Sequence, residues 1–344
     1  MRSRPAPRAL IVGLGGSLLT PGERAYLAEV DPWGVILFAR NVADPPQLRR
    51  LTAAIRDAIG RPDAPILVDQ EGGRVQRLGP PNWPAYPSAG VIARLHGRDP
   101  AAGLEAARLA ARLIASDLTG VGITVACLPV LDLPVAGADA VIGERAYGSD
   151  AGAVAALGRA AAEGVLAGGC LPVIKHIPGH GRARCDSHFE LPRVETPAGI
   201  LARTDFAPFR ALSDMPLAMT AHVVFSAIDP NLPATVSPAI IGRVIRGEIG
   251  FDGLLMSDDL SMGALAGSIG ERACRAIEAG CDVALHCSGD GAEMAALAAS
   301  VPPLAGRSLE RARRALACAR EPEAVDLDRK RARLDALVDQ VGDR

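Results

Sequence analysis

Short runs of consecutive apolar residues, rich in Val, Ile and Leu, recur along the chain. Each is followed by polar or Gly/Pro residues and then by an Ala/Leu/Arg stretch at helical spacing. Eight runs fit this rhythm: Ala9–Gly13, Gly34–Phe38, Pro65–Val68, Gly122–Ala126, Pro172–Lys175, Leu217–Ala221, Gly253–Ser257 and Asp282–His286. Apolar runs without alternation are the pattern of strands buried on both faces.

The segments between them read as helices with recognisable ends. Asp99-Pro100 supplies an N-cap and a first-turn proline, and Leu104, Ala107, Ala111, Ile114 and Leu118 keep one face apolar until Gly120 offers a C-cap. Asp150 opens the Ala-rich stretch that ends near Gly168-Gly169, and Gln47–Ile59, Pro238–Ile249 and Ile269–Ala279 read similarly. Strands alternating with helices imply right-handed parallel β-α-β units. With eight units and no Gly/Ser-rich linker, the expected fold is α/β, a single (β/α)8 TIM barrel spanning residues 1–344. The Arg-rich segment from about 306 to 341 would form two exposed helices packed on the barrel. A doubly wound open sheet is the competing architecture, because strand count does not prove closure.

Composition narrows the function. Aromatic residues are only 3%, too few for the stacking platforms of single-strand nucleic-acid binders, and a net charge of −2 lacks the basic footprint that phosphate backbones require. The seven Cys are odd in number and contain no CxxC pair, which fits reduced thiols. The N-terminal apolar run is broken by Gly13, Gly15 and Gly16, and no Ala-x-Ala site follows before Glu23, so it does not read as a signal peptide. No apolar stretch reaches the length of a bilayer span. The expectation is a cytoplasmic, soluble monomer with no membrane or nucleic-acid partner.

A barrel places its chemistry at the C-terminal ends of strands, and the unusual polar residues fall there. The third strand leads into Asp69-Gln70-Glu71-Gly72-Gly73-Arg74-Val75-Gln76-Arg77, and the fourth into Asp132 and then Gly143-Glu144-Arg145. The fifth leads into Lys175-His176-Ile177-Pro178-Gly179-His180-Gly181 and on to Asp186-Ser187-His188, the sixth into Thr220-Ala221-His222, and the seventh into Ser257-Asp258-Asp259. Each has a bland reading as well. Asp69 would cap a helix or pair with a nearby Arg, Arg77 and Arg145 would be solvated, and His222 would be a satisfied core histidine. Asp258 and Asp259 would point to opposite sides, only one facing the mouth, with Asp259 free to cap the next helix. A buried Lys175 is harder to dismiss, since it needs a partner.

A strand-end carboxylate ringed by Lys, Arg and His stays ionised, which suits a nucleophile better than a general acid. The proton donor is then a separate group. His188 fits, because Asp186 two residues earlier would hold one ring nitrogen and leave the other to give and retake a proton. Carboxylate nucleophile plus separate acid/base is the logic of retaining glycoside hydrolysis. Asp69, Arg77, Arg145, Lys175 and His176 would orient a polyhydroxylated ring. Scarce aromatics imply recognition by hydrogen bonds and one or two sugar units. The Gly-flanked segment from Gly179 to Phe189 is expected to move during turnover.

KHIPGHGRARCDSH, DQEGGRVQR, ILFARN, IGERAYG and GLLMSDDLSM together resemble the family-3 glycoside hydrolases, over about Ala9 to Ser288. More narrowly, the chain is similar to the bacterial single-domain β-N-acetylglucosaminidases (β-hexosaminidases) of peptidoglycan recycling. The resemblance implies a TIM barrel and double displacement through a covalent glycosyl-enzyme. Asp258 would be the nucleophile and His188 the acid/base assisted by Asp186, while Asp69, Arg77, Arg145, Lys175 and His176 would bind the non-reducing N-acetylglucosamine. It further implies cytoplasmic muropeptide substrates carrying anhydro-N-acetylmuramic acid, with no cofactor and no metal. Two positions depart from the common pattern: Ile177 stands where an aromatic is frequent, and Cys185 lies beside Asp186.

Other readings remain open on the residues. His176, His180, His188 and Asp258 would serve as ligands in a metal-dependent barrel hydrolase, although Lys175 would place a positive charge beside the ion. A silent saccharide-binding barrel is the non-enzymatic alternative. Because a histidine acid/base adds no negative charge, phosphate could replace water in the second step, so hydrolysis and phosphorolysis both stand.

Overall fold

The computed structural model describes residues 5–342. Its eight main strands are β1 (Arg8–Gly13), β2 (Pro32–Leu37), β3 (Ile66–Val68), β4 (Val125–Ala126), β5 (Leu171–Ile177), β6 (Leu217–Thr220), β7 (Leu254–Asp259) and β8 (Val283–His286). All pair in parallel in sequence order, and β1 hydrogen-bonds both β2 and β8. The sheet is closed, which excludes the doubly wound alternative and makes the fold a (β/α)8 barrel. The apolar run near the N-terminus is its first strand, with Leu10, Ile11 and Val12 wholly buried. Met1–Arg4 lie outside the described residues.

The strands sit where the apolar runs predict, with ends that differ by up to three residues: β2 starts two earlier and β7 runs two further, to Asp259. β4 is shorter, because Gly122 turns the chain in the left-handed region (φ 80°) and Pro129 removes a donor just beyond. β5 runs two residues further, Ile177 pairing with Thr220 across a register shift after Lys175. That extension carries His176 to the barrel mouth.

The helices show their expected starts. Asp99 caps Pro100–Thr119 through the Ala101 and Ala102 amides and Asp150 caps Ala151–Ala167 through Ala153, whereas the helix expected from Gln47 begins two residues earlier, at Pro45, capped by Asp44 through the Gln47 amide. Gly120 follows its helix in right-handed conformation (φ −58°), not as a left-handed cap. The helix expected over Pro238–Ile249 forms over Ile240–Glu248, with the wider π-type hydrogen bonding.

The Arg-rich C-terminal segment forms helices Gly306–Ala317 and Leu327–Val338. They bury Ala312, Ala315, Leu334 and Leu337 and are pinned by ion pairs from Arg311 to Asp252 and Asp282 and from Arg333 to Glu105. Among the described residues, no helix is long and apolar enough to cross a membrane.

Candidate active site

The C-terminal ends of the strands open on a cavity of about 260 Å³. Asp69, Arg77, Arg145, Lys175, His176, Asp186, His188 and Asp258, the eight residues singled out from the sequence, all line it. So do Phe38, Arg74, His180, Asp259, Met262 and Cys287.

Its floor is a buried charge cluster. Lys175 lies two residues before the end of β5 with its side chain only 2% exposed, and its Nζ lies 2.8 Å from Asp69 and 2.7 Å from Glu71. Glu71 also receives Arg145 Nε and Nη2 at 2.9 Å each, in a bidentate fork. Arg77 reaches Asp69 at 3.4 Å. Burial alone would raise the pKa values of Asp69 and Glu71, but Lys175 and the arginines outweigh it and hold both below the usual carboxylate range. Burial would lower the Lys175 pKa, and the two carboxylates more than reverse that. The cost of a buried lysine at the mouth is offset in this way.

Glu71 was not among the expected site residues. Its signal was present: Asp69 and Glu71 are two apart in an extended segment, which puts both side chains on one side. The loop is shaped by Gln70, whose Oε1 accepts from the amides of Arg77 and Leu78. Phe38 also faces the cavity, with the Arg40 and Arg77 guanidinium groups 4.9 and 5.7 Å from its ring centre.

His176 is oriented from behind. Its Nδ1 lies 2.7 Å from Asp132 Oδ2, and the amides of His176 and His180 donate to Asp132 Oδ1 at 3.3 and 2.6 Å. Asp132 has no exposed side-chain surface, and its pKa falls despite burial because His176 and His180 face it. Asp132 stood among the strand-end residues in the sequence, but its partner could not be read there.

His188 Nδ1 lies 2.6 Å from Asp186 Oδ1, which also accepts the His188 amide at 2.9 Å. A carboxylate only accepts, so Nδ1 carries the proton and Nε2 is left to exchange one. The His188 side chain is 57% exposed, at the rim. Burial would raise the pKa of Asp186, but hydrogen bonds from His188 lower it. The neighbouring Cys185 is held as a thiol by partial burial and by Glu190, Asp139 and Asp186. Ile177 is fully buried and packs in the core.

Asp258 and Asp259 do not split as the sequence implies. Both line the cavity, because a register shift between Met256 and Asp259 interrupts the alternation of β7. Asp259 does not cap the next helix: Ser268 does, and Asp259 Oδ1 accepts from the amides of Ser261 and Cys287 at 3.0 Å each. Burial opposes the charge on Asp258, yet His222, His176, the Asp259 amide and Lys175 keep its pKa below the usual range.

His222 is buried and does not line the cavity. Its Nε2 donates to the Asp259 carbonyl at 3.0 Å, which makes Nδ1 the acceptor for Thr235 Oγ1 at 2.6 Å. Thr235 Oγ1 lies 2.8 Å from Thr220 Oγ1, and Thr220 accepts the Asp258 amide at 3.2 Å. A closed hydrogen-bonded circuit therefore grips the backbone on both sides of Asp258.

Each histidine of the metal reading has one ring nitrogen bonded within the protein: His176 Nδ1 to Asp132, His180 Nε2 to Ser187 at 2.9 Å, and His188 Nδ1 to Asp186. Among the described residues, no three His, Cys, Asp or Glu side chains converge as metal ligands.

Residues 21–313 match the glycosyl hydrolase family 3 N-terminal domain. The chain is 46% identical to a β-hexosaminidase of Alkalilimnicola ehrlichii over 81% of this chain and 80% of that one. It is 40% identical to a β-hexosaminidase of Aromatoleum aromaticum over 92% and 90%. Among solved structures it resembles NagZ from Neisseria gonorrhoeae in complex with N-trifluoroacetyl-D-glucosamine, with a TM-score of 0.85, 32% identity and 98% of each chain covered. With most of its length matched and its barrel closed around this cavity, the chain belongs to glycosyl hydrolase family 3.

Proposed function

We propose that this family 3 enzyme, a β-N-acetylhexosaminidase, releases non-reducing terminal β-linked N-acetylglucosamine from muropeptides by double displacement, with retention at the anomeric carbon. The observation that carries the reading is one cavity that joins Asp258, the Asp186–His188 pair and the Asp69–Lys175 cluster.

Asp258 attacks the anomeric carbon, and the glycosidic C–O bond breaks as protonated His188 gives its Nε2 proton to the leaving oxygen. Asp186 stabilises the imidazolium through Nδ1–H. The neutral imidazole then takes a proton from water, which attacks the glycosyl ester and frees Asp258. Both carboxylates begin ionised, as their depressed pKa values require. Asp69, Arg77, Lys175, His176 and Arg145 bind the sugar hydroxyls. The small cavity suits one sugar, with the remainder of the substrate outside the rim. The whole chain acts as one catalytic unit, in the cytoplasm.

The test is incubation with a nitrophenyl N-acetyl-β-glucosaminide, with and without phosphate, followed by identification of the product. Free N-acetylglucosamine first released as the β-anomer supports the reading. Formation of the sugar phosphate would replace hydrolysis with phosphorolysis, and absence of nitrophenol release would overturn the assignment.

A further inference from the structure

The segment that carries His188 makes few packing contacts of its own. Among residues 184–190 only Ser187 is buried, while His188 and Phe189 are exposed, Phe189 at 79%. The segment is nevertheless held at three points. Ser187 Oγ lies 2.9 Å from His180 Nε2. The Ser187 carbonyl accepts from the Ala264 amide at 3.3 Å, and the His188 carbonyl accepts from the Gly263 amide at 3.0 Å.

These anchors come from two elements that carry the rest of the chemistry. His180 is fixed by donation of its amide to Asp132, the residue that orients His176. Gly263 and Ala264 lie on the loop leaving β7, just beyond Asp258 and Asp259. The acid/base segment is therefore bonded directly to the loop of the carboxylate it must work with.

Gly263 is required by space. A Cβ there would come 2.9 Å from the Phe189 carbonyl oxygen and 3.0 Å from that of His188. Both atoms are backbone, so a side chain at 263 is accommodated only by displacing the segment. Its φ lies outside the left-handed region, so no conformational demand competes with that explanation.

We propose that His180, Ser187 and Gly263 form a seat that registers His188 against Asp258, making them positioning residues for proton transfer. The proposal rests on the reading of His188 as the acid/base. Proton transfer tolerates little misplacement, and a shift of about 1 Å in a positioned group costs on the order of 10²-fold. Sugar binding relies on Asp69, Arg77, Arg145, Lys175 and His176; of the seat only His180 adjoins these, through Asp132 and the edge of the His176 ring, while Ser187 and Gly263 are bonded to none of them.

The test compares kcat/KM for Gly263→Ala and Ser187→Ala on two substrates: a dinitrophenyl N-acetyl-β-glucosaminide, whose leaving group needs no proton, and an alkyl glycoside, whose leaving group does. The expected result is a loss of about tenfold or more on the alkyl substrate, with the dinitrophenyl value within about twofold of wild type. Azide, which attacks without a general base, should restore kcat on the dinitrophenyl substrate. Equal losses on both substrates, or none on either, would overturn the seat. Ser187→Ala reads the seat from the opposite side should Gly263→Ala fail to fold. His188→Ala is the reference: if it does not discriminate between the substrates, the acid/base reading fails and the seat fails with it. If it discriminates and the other two variants do not, the seat alone is overturned.

Discussion

Glu71 accepts both arms of the Arg145 guanidinium, each at 2.9 Å, from a side chain only 6% exposed. It also accepts Lys175 Nζ at 2.7 Å, so it balances two buried cations at once. Glu71→Gln leaves Arg145 without its paired carboxylate and Lys175 with only Asp69, which Arg77 also holds, and an uncompensated buried charge costs about 3–5 kcal/mol. Urea unfolding should show a loss of that order, and KM for an N-acetyl-β-glucosaminide should rise as the floor of the cavity rearranges. A loss below about 1 kcal/mol would show that the cluster is solvated and does not organise the floor.

Asp258→Asn removes the attacking carboxylate while leaving the sugar-binding groups in place. Turnover should fall to background, while calorimetry should give a Kd for N-acetylglucosamine close to that of wild type. Activity near wild type would remove Asp258 from the mechanism. His188→Ala should lower kcat/KM on substrates with poor leaving groups by about 10²–10⁴-fold, the usual contribution of a positioned acid/base.

Much of this site was legible because it is written at strand ends. Lys175-His176 and Ser257-Asp258-Asp259 directly follow apolar runs, and a closed barrel delivers such residues to one mouth whatever the loops do. What the sequence did not reveal depends on register and on through-space pairing. The placement of both Asp258 and Asp259 on the cavity comes from a shift between neighbouring strands, which no single strand encodes. Asp132 and Glu71 act through partners 44 and 74 positions away. His222 stood undecided between core and site because its partners, Thr235, Asp259 and, through Thr235, Thr220, are brought together by the pairing of β6 with β7 and by the return of the chain after β6, neither of which the local sequence states.

That circuit makes Thr235 a point of failure. Thr235→Val leaves His222 Nδ1 and Thr220 Oγ1 buried without their partner, at a cost of about 1–3 kcal/mol. Thr235→Ser keeps the hydroxyl and should recover most of the loss in chemical unfolding. If the valine and serine variants were equally stable, the hydroxyl would contribute nothing.

His180 gives the protein a pH-dependent term that can be isolated. Burial, with His176 nearby, lowers its pKa from 6.5 to about 4, although Asp132 and Asp258 pull the other way. The native state therefore holds it neutral while the unfolded chain takes up a proton below pH 6.5. The unfolded state binds more protons between those two pH values, so stability rises with pH across that window and falls on acidification. Integrated over the window, the term is worth about 3 kcal/mol, and it saturates below pH 4, where the native residue protonates too. His180→Gln removes the titration, while His222 and His286, also lowered by burial, still titrate in both proteins. Urea unfolding at pH 7, 5 and 4 should therefore show a shallower loss of stability in the variant, by up to about 3 kcal/mol at the acid end. Parallel stability curves for the two proteins would mean that His180 protonates in the folded state at its ordinary pKa, and that its pairing with Ser187 is not maintained by a neutral ring.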